Sequence, residues 1–279
     1  MLGNIRCIDG EPVVYKGYLW FIKGYQHPPD KIIAFPRYNL INSSHVTSVL
    51  QVVDQLYYWD CLKIEVPVIK LDEIMLYKPG LDNFIEYIVD TIVDMIGIDR
   101  EDCVVSGSTL LGRRRDLDIV VYGFSEEYIS NIEKLLRERV FERIRYDQLY
   151  YEYLSKHVKD TDLYTYMYIK KDTILHFLFN NVHVNLRFNR FSRGVHGCVD
   201  PVYKREFFIG EIHVLKPIFK YVIPSKYLIR WYDRVLYLES YREIYSELPV
   251  GRYYVEGFIE HRRDGEYIVP DHGRLIYLS

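Results

Sequence analysis

Apolar and polar residues alternate in short runs at the start of the chain. PVVYKG, YLWFIKGY and KIIAFPRY, between residues 11 and 38, are rich in aromatic and β-branched residues with Gly and Pro between them. That pattern predicts a small antiparallel sheet. The spacing then changes. SHVTSVLQVVDQLYY (44–58) carries apolar residues at helical intervals behind Ser43 or Ser44 as a cap, which predicts a helix. A second helix is predicted from about Asp82 to Ile98, with Gly97 near its end, where a residue lacking Cβ suits the terminating left-handed turn. Glu86, Asp90 and Asp94 punctuate its apolar stretch, FIEYIVDTIVDMIGI, so the segment suits an amphipathic helix and not a membrane span.

Two short strand-like runs follow: CVVSG (103–107), which ends in Gly-Ser, and DLDIVVYG (116–123), with STLLGRRR between them. Ser125 is placed to cap SEEYISNIEKLLRER, whose first turn carries Glu126 and Glu127 near the positive helix end. Residues 145–171 read as helical and tyrosine-rich. ILHFLF and VHVNLRF, joined by Asn180-Asn181, read as a β-hairpin, since Asn tolerates positive φ. From about Pro201 the chain becomes a series of short β-runs, with hints of helix only at 226–232 and 240–247. Regularly spaced strands of this kind suggest a small barrel or sandwich. The divisions expected are 1–75, a β-rich module with a helix; 76–200, a core; and 201–279, a β-rich module.

Length and composition narrow the class. A chain of 279 residues suits a core with one or two appended modules and buries most of its apolar surface without staples. A net charge of −3 argues against a protein that lives by non-specific phosphate contact. Cys7, Cys61, Cys103 and Cys198 are scattered with no zinc-finger spacing, so buried free thiols are expected. With no apolar leader in MLGNIRCIDGEP and no sign of an oxidising compartment, a cytoplasmic protein is expected.

The chemistry concentrates in VVSGSTLLGRRRDLDIVV. Gly107 has no Cβ, so a phosphate can approach its backbone, and Ser108 offers a hydroxyl and an N–H to the same group. Asp116 and Asp118 are two apart on a strand and share one face, while Leu117, Ile119 and Val121 point into the core. Paired carboxylates at a strand edge make a hard oxygen site for Mg²⁺ or Mn²⁺, which phosphoryl transfer needs to hold a triphosphate. A bare D-x-D is more often a solvated pair. Gly-Ser closing one strand and D-h-D opening the next is far more specific.

At these residues the sequence resembles the nucleotidyltransferase superfamily of DNA polymerase β. GYQHPPDKIIAFPRY, MIGIDREDCVVSGSTLLGRRRDLDIVVYG and YYVEGFIEHRRDGEYIV resemble an archaeal family of predicted nucleotidyltransferases, a likeness touching most of the chain. The resemblance implies an α+β fold: a polymerase-β-like nucleotidyltransferase core, a mixed sheet flanked by helices, with a small N-terminal β module and a C-terminal barrel-like module. It implies that Gly107 and Ser108 bind the phosphates of an NTP, and that Asp116 and Asp118 ligate catalytic metal. The implied reaction places a nucleotide on an RNA, protein or small-molecule hydroxyl.

This sequence departs from the family pattern in two places. The loop after Gly-Ser is short and holds Arg113, Arg114 and Arg115. The third carboxylate is expected on a later strand, where VHVNLRF presents Asn185 on the face it shares with His183 and Arg187. An Asn carbonyl can ligate metal but cannot act as a base. Asp172 and Asp200 are the nearby substitutes. A second function therefore stands beside transfer: a catalytically impaired protein that binds nucleotide or RNA without turnover. Arg113, Arg114, Arg115 and Arg187, with Arg190 and Arg193, are candidates for phosphate contact, each weighed against ordinary pairing with acidic neighbours. Tyr253, Tyr254, Phe258 and Tyr267, with Arg262 and Arg263, suit either base stacking on RNA or the inside of a structural barrel.

Overall fold

The computed structural model describes residues 5–77, 80–113 and 116–278. The chain is mixed α and β and rich in strand. It separates into two units, one formed by Met1–Asn131 with Val184–Pro201 and the other by Ile132–His183 with Val202–Ser279. Among the described residues, no helix is long and apolar enough to cross a membrane.

In the first unit the alternating N-terminal runs form a five-stranded antiparallel sheet, in the order Val68–Lys70, Lys31–Asn39, Tyr18–Ile22, Pro12–Tyr15, Met75–Leu76. Lys16 and Gly17 turn the hairpin with φ of 47° and 76°. Two positive φ values in a two-residue loop match the right-handed twist of the flanking strands. Val13, Trp20, Ile22, Ile32, Ala34 and Ile69 pack into one apolar cluster of this unit.

The helix expected over 44–58 does not form. Only a 3-10 turn, Val49–Gln51, appears there, and its preceding residue, Ser48, makes no side-chain cap. Val46, Thr47, Val49, Val52 and Val53 are β-branched and lose rotamer freedom in a helix. The end of the segment, Tyr57–Trp59, instead pairs antiparallel with Ile64–Val66. Trp59 then packs with Ile33, Cys61 and Val66.

The expectation of four free thiols is also corrected. Cys61 and Cys198, 137 residues apart, form a disulfide, while Cys7 and Cys103 remain free and buried. Pairing at that separation is set by the folded path of the chain, which local spacing does not encode.

The helix Asn83–Ile96 runs as expected. The Asp82 carboxylate accepts from the Ile85 N–H at 2.9 Å, and Gly97 closes the helix at φ 84°. Ile85, Ile88, Val89, Ile92, Val93 and Ile96 form its buried stripe. Ser125 Oγ accepts from the Glu127 N–H at 3.2 Å at the start of the helix Glu126–Arg137.

The second unit carries the helices Tyr146–Glu152 and Leu163–Lys170, the latter capped by Asp162 accepting from the Thr165 N–H at 2.7 Å. Asn180 and Asn181, at φ 49° and 61°, turn the chain between His176–Phe179 and the strand that begins at Val182. The tail is a closed five-stranded barrel in the order Val202–Phe219, Ser225–Trp231, Arg234–Ser240, Gly265–Tyr277, Gly251–Arg262. In place of the short runs expected after Pro201, Val202–Phe219 is a single strand of 18 residues. Its first half pairs with Gly251–Arg262 and its second with Ser225–Trp231, with register shifts near Val214 and Pro217. Such irregularities bend a strand, which barrel closure requires. The hint of helix at 226–232 is overturned. Tyr227 and Ile229 are buried in the barrel and alternate with outward residues, the period of a strand.

Candidate functional site

The predicted acidic site lies wholly within the first unit. Cys103–Ser106 and Asp116–Val121 pair antiparallel, with Asp118 opposite Ser106. Leu117 and Ile119 are buried, and Asp116 and Asp118 stand half-buried on the other face, as strand alternation requires. The Gly-Ser turn follows directly. Gly107 has φ 70°, and a Cβ added there would lie 2.0 Å from Asp118 Oδ2. Glycine is thus required twice, by its left-handed backbone and by the carboxylate pressed against it. Thr109 Oγ1 donates to the Asp116 carbonyl at 2.6 Å, tying the turn to the strand.

Asn185 completes the row. Its Nδ2 donates to Asp118 Oδ1 at 2.9 Å, so the strand Val182–Asn189 brings this side chain to the acidic pair, as its alternation predicted. Asn185 is only 5% exposed, and its Oδ1 is buried with no hydrogen-bond partner among the described residues. The amide donates, so it stabilises Asp118 as a carboxylate. It supplies a carbonyl lone pair where a third carboxylate would supply charge.

The other predicted residues are placed as follows. Arg113 donates to the Ser43 carbonyl at 2.7 Å. Arg114 and Arg115 lie outside the described residues. The Arg187 guanidinium is 3.5 Å from Asp9 Oδ1, an ion pair with a carboxylate that is almost fully buried. Asp200 is held through its backbone, its N–H donating to Gln26 Oε1 at 3.0 Å and its carbonyl accepting from Gln26 Nε2 at 3.1 Å. Asp172 is exposed and belongs to the second unit.

Sequence reasoning missed the Asp9 loop. Asp9 accepts from the Gly24 N–H at 3.0 Å and pairs with Lys23 at 3.5 Å, and its carbonyl accepts from Asn189 Nδ2 at 2.9 Å. Ser106 Oγ donates to the Gly10 carbonyl at 3.3 Å. A Cβ on Gly10 would meet Val120 at 2.9 Å and Arg187 Nη1 at 3.4 Å. Residues 9 and 10 therefore cover the sheet face one step along from the row formed by Ser106, Asp118 and Asn185. The only sequence signal was Asp-Gly, a common turn dipeptide.

His27 anchors the same N-terminal segment. Its Nε2 donates to the Cys7 carbonyl at 2.7 Å, and its Nδ1 accepts from the Ile33 N–H at 3.2 Å. One donor and one acceptor describe a neutral ring. Burial, ahead of every other influence, holds its pKa down at about 4. Glu11 accepts from the N–H groups of Arg6 and Cys7 at 3.0 and 2.8 Å, while burial raises its pKa.

In the barrel, Tyr253 and Tyr267 are buried. Arg262 is enclosed by Glu239 at 2.6 Å and Glu260 at 2.7 Å. Tyr253 packs in the apolar core of the barrel, and the Arg262 guanidinium lies 4.3 Å over the Tyr267 ring. No family model, curated protein or solved structure matches this chain.

Proposed function

We propose that this chain is a nucleotidyltransferase of the polymerase-β-like type, with the site formed by Gly107, Ser108, Asp116, Asp118 and Asn185. In this reading Mg²⁺ or Mn²⁺ binds Asp116 and Asp118 and holds the phosphates of an NTP against the Gly107–Ser108 turn. An acceptor hydroxyl loses its proton to solvent water as its oxygen bonds to the α-phosphorus, the bond from that phosphorus to the β-phosphate bridging oxygen breaks, and pyrophosphate leaves. The observation that carries the reading is the contact of one carboxylate, Asp118, with both the glycine turn and the Asn185 amide. Two half-buried acids beside a glycine turn suit a divalent cation and a triphosphate, and the unpartnered Asn185 Oδ1 offers one more oxygen.

One observation favours a second reading, nucleotide or RNA binding without turnover. Asn185 is neutral and cannot take the hydroxyl proton. Incubation with each labelled NTP, Mg²⁺ or Mn²⁺ and cellular RNA, alongside calorimetry of NTP binding, separates the two. Transfer supports the first reading, and binding without transfer supports the second. Neither binding nor transfer, with both metals tried, sinks both. Asn185→Asp is the sharper probe, because it restores a third carboxylate. It is expected to raise transfer and tighten Mg²⁺ binding, and an unchanged variant would remove Asn185 from the site.

A further inference from the structure

We infer that the second unit holds a structural metal centre of the zinc type, formed by Glu152, His176 and His183. Among the described residues these three offer ligand atoms that all lie within 4.8 Å of one another. Glu152 ends the helix Tyr146–Glu152, and the two histidines face each other diagonally across the Asn180-Asn181 turn, ring centroids 6.3 Å apart. The centre would fasten that helix to the hairpin. It does not depend on the nucleotidyltransferase reading.

The case rests on polar atoms that the fold buries and leaves unanswered. Glu152 Oε2 and His176 Nδ1 are both buried and have no hydrogen-bond partner among the described residues. They face each other at 3.8 Å, too far to bond directly. The Tyr166 hydroxyl, on a fully buried ring, faces the same carboxylate. Buried polar atoms are almost always satisfied, so two unmet groups converging on one point indicate something that fills it. Zn²⁺ bonds to nitrogen and oxygen at about 2.0–2.2 Å, so closing the cluster needs an inward shift of about 1 Å or less.

The surroundings prepare the ligands. His176 Nε2 meets Glu243 Oε1 at 2.8 Å. A proton held on Nε2 by that carboxylate would leave Nδ1 as the ligand atom once an ion displaces any proton from it, the carboxylate–histidine–metal arrangement. Glu152 Oε1 takes Lys156 at 3.5 Å, and its other oxygen faces the cluster. Lys170 sits on the far side of His176, 3.3 Å from Nε2 and 3.6 Å from Glu247. Two imidazoles and a carboxylate select zinc and its neighbours over Mg²⁺ or Ca²⁺, which prefer all-oxygen sites.

The test uses the tag-free full chain. It is stripped with a chelator, dialysed against Zn²⁺ or Co²⁺, and measured for bound metal by mass spectrometry, with Co²⁺ absorption and thermal unfolding recorded in parallel. The expected result is one ion per chain, visible Co²⁺ ligand-field bands and a higher unfolding temperature with metal. His183→Gln and Glu152→Gln should lose the stoichiometric ion, while Asp118→Asn keeps it. Wild-type protein that takes up neither ion overturns the inference, whether or not the variants fold. So does an ion retained by both the His183 and Glu152 variants, or one lost in Asp118→Asn.

Discussion

The acidic strand pair of the first unit and the Glu152–His176 cluster of the second hold their charges in opposite ways. In the first, Asp116 and Asp118 stay half-exposed at a strand edge, and Asn185 brings a neutral amide to Asp118 from the next strand. In the second, Glu152, Lys170, His176 and Glu247 are all buried and gathered in one polar cluster. The difference follows from what each site must admit. In the proposed reading, acids that receive a cation and a triphosphate from solution have to keep an open face, and a pair of partly hydrated carboxylates pays little desolvation. Charges that fasten elements together can be enclosed only when each meets a partner, and an enclosed site with an unmet ligand atom calls for one.

The largest effect that would sharpen this contrast is on turnover. If the proposed reading holds, Asp118→Asn removes a metal ligand from that site, and nucleotide transfer is expected to fall on the order of a thousandfold. The measure is transfer with labelled NTP, and circular dichroism should be unchanged. A variant that keeps its activity would show that the open site is not the reacting one.

Crosslinking distinguishes the units next. Reducing Cys61–Cys198, or replacing both by Ser, releases a constraint across 137 residues and should cost about 4 kcal/mol of unfolding free energy. Denaturant midpoints give the magnitude. Hydrogen exchange should place the loosening in the first unit; protection lost mainly from the barrel would contradict this.

Acid separates them further. His27 titrates at about 4 in the fold against an ordinary 6.5, so the unfolded chain takes up its proton first. Stability is complete above about 6.5, falls as the pH drops toward 4, and levels below it, a loss of roughly 3 kcal/mol. Unfolding curves from pH 7.5 to 3.5 for wild type and His27→Gln should differ in slope over that window. Parallel slopes would remove His27 from the account.

A smaller loss is expected in the barrel. The Tyr227 hydroxyl donates to the Tyr245 carbonyl at 2.9 Å and accepts from the Leu248 N–H at 3.0 Å. Tyr227→Phe removes the acceptor of the buried Leu248 N–H, while the Tyr245 carbonyl keeps the bond it accepts from Ser225 Oγ at 3.2 Å, at a cost of about 2 kcal/mol in chemical denaturation. No change would mean that another group or a water accepts from the Leu248 N–H.

Much of the site was legible because its parts are local. Gly107 and Ser108 close one strand, and Asp116 and Asp118 open the next, so spacing alone put both acids on one face. Asn185 was legible from alternation, since the apolar set Val184, Leu186 and Phe188 fixes which way it points. The Asp9 loop was not legible. It reaches the sheet through Arg187 and Asn189, nearly 180 residues away, and no periodicity links them.

The sequence by itself determined the N-terminal hairpins, the helix closed by Gly97, the acidic strand pair and the strand-rich tail. Each depends on propensity, capping or the two- and 3.6-residue periods, which act between near neighbours. Only the tertiary structure decided that residues 57–59 would become a strand, that Cys61 would meet Cys198, that 202–219 would run as one bent strand, and that Glu152 would approach His176 and His183. These outcomes depend on which distant surfaces are buried together, and the free energy of that burial outweighs the small preferences any short segment has for its own conformation.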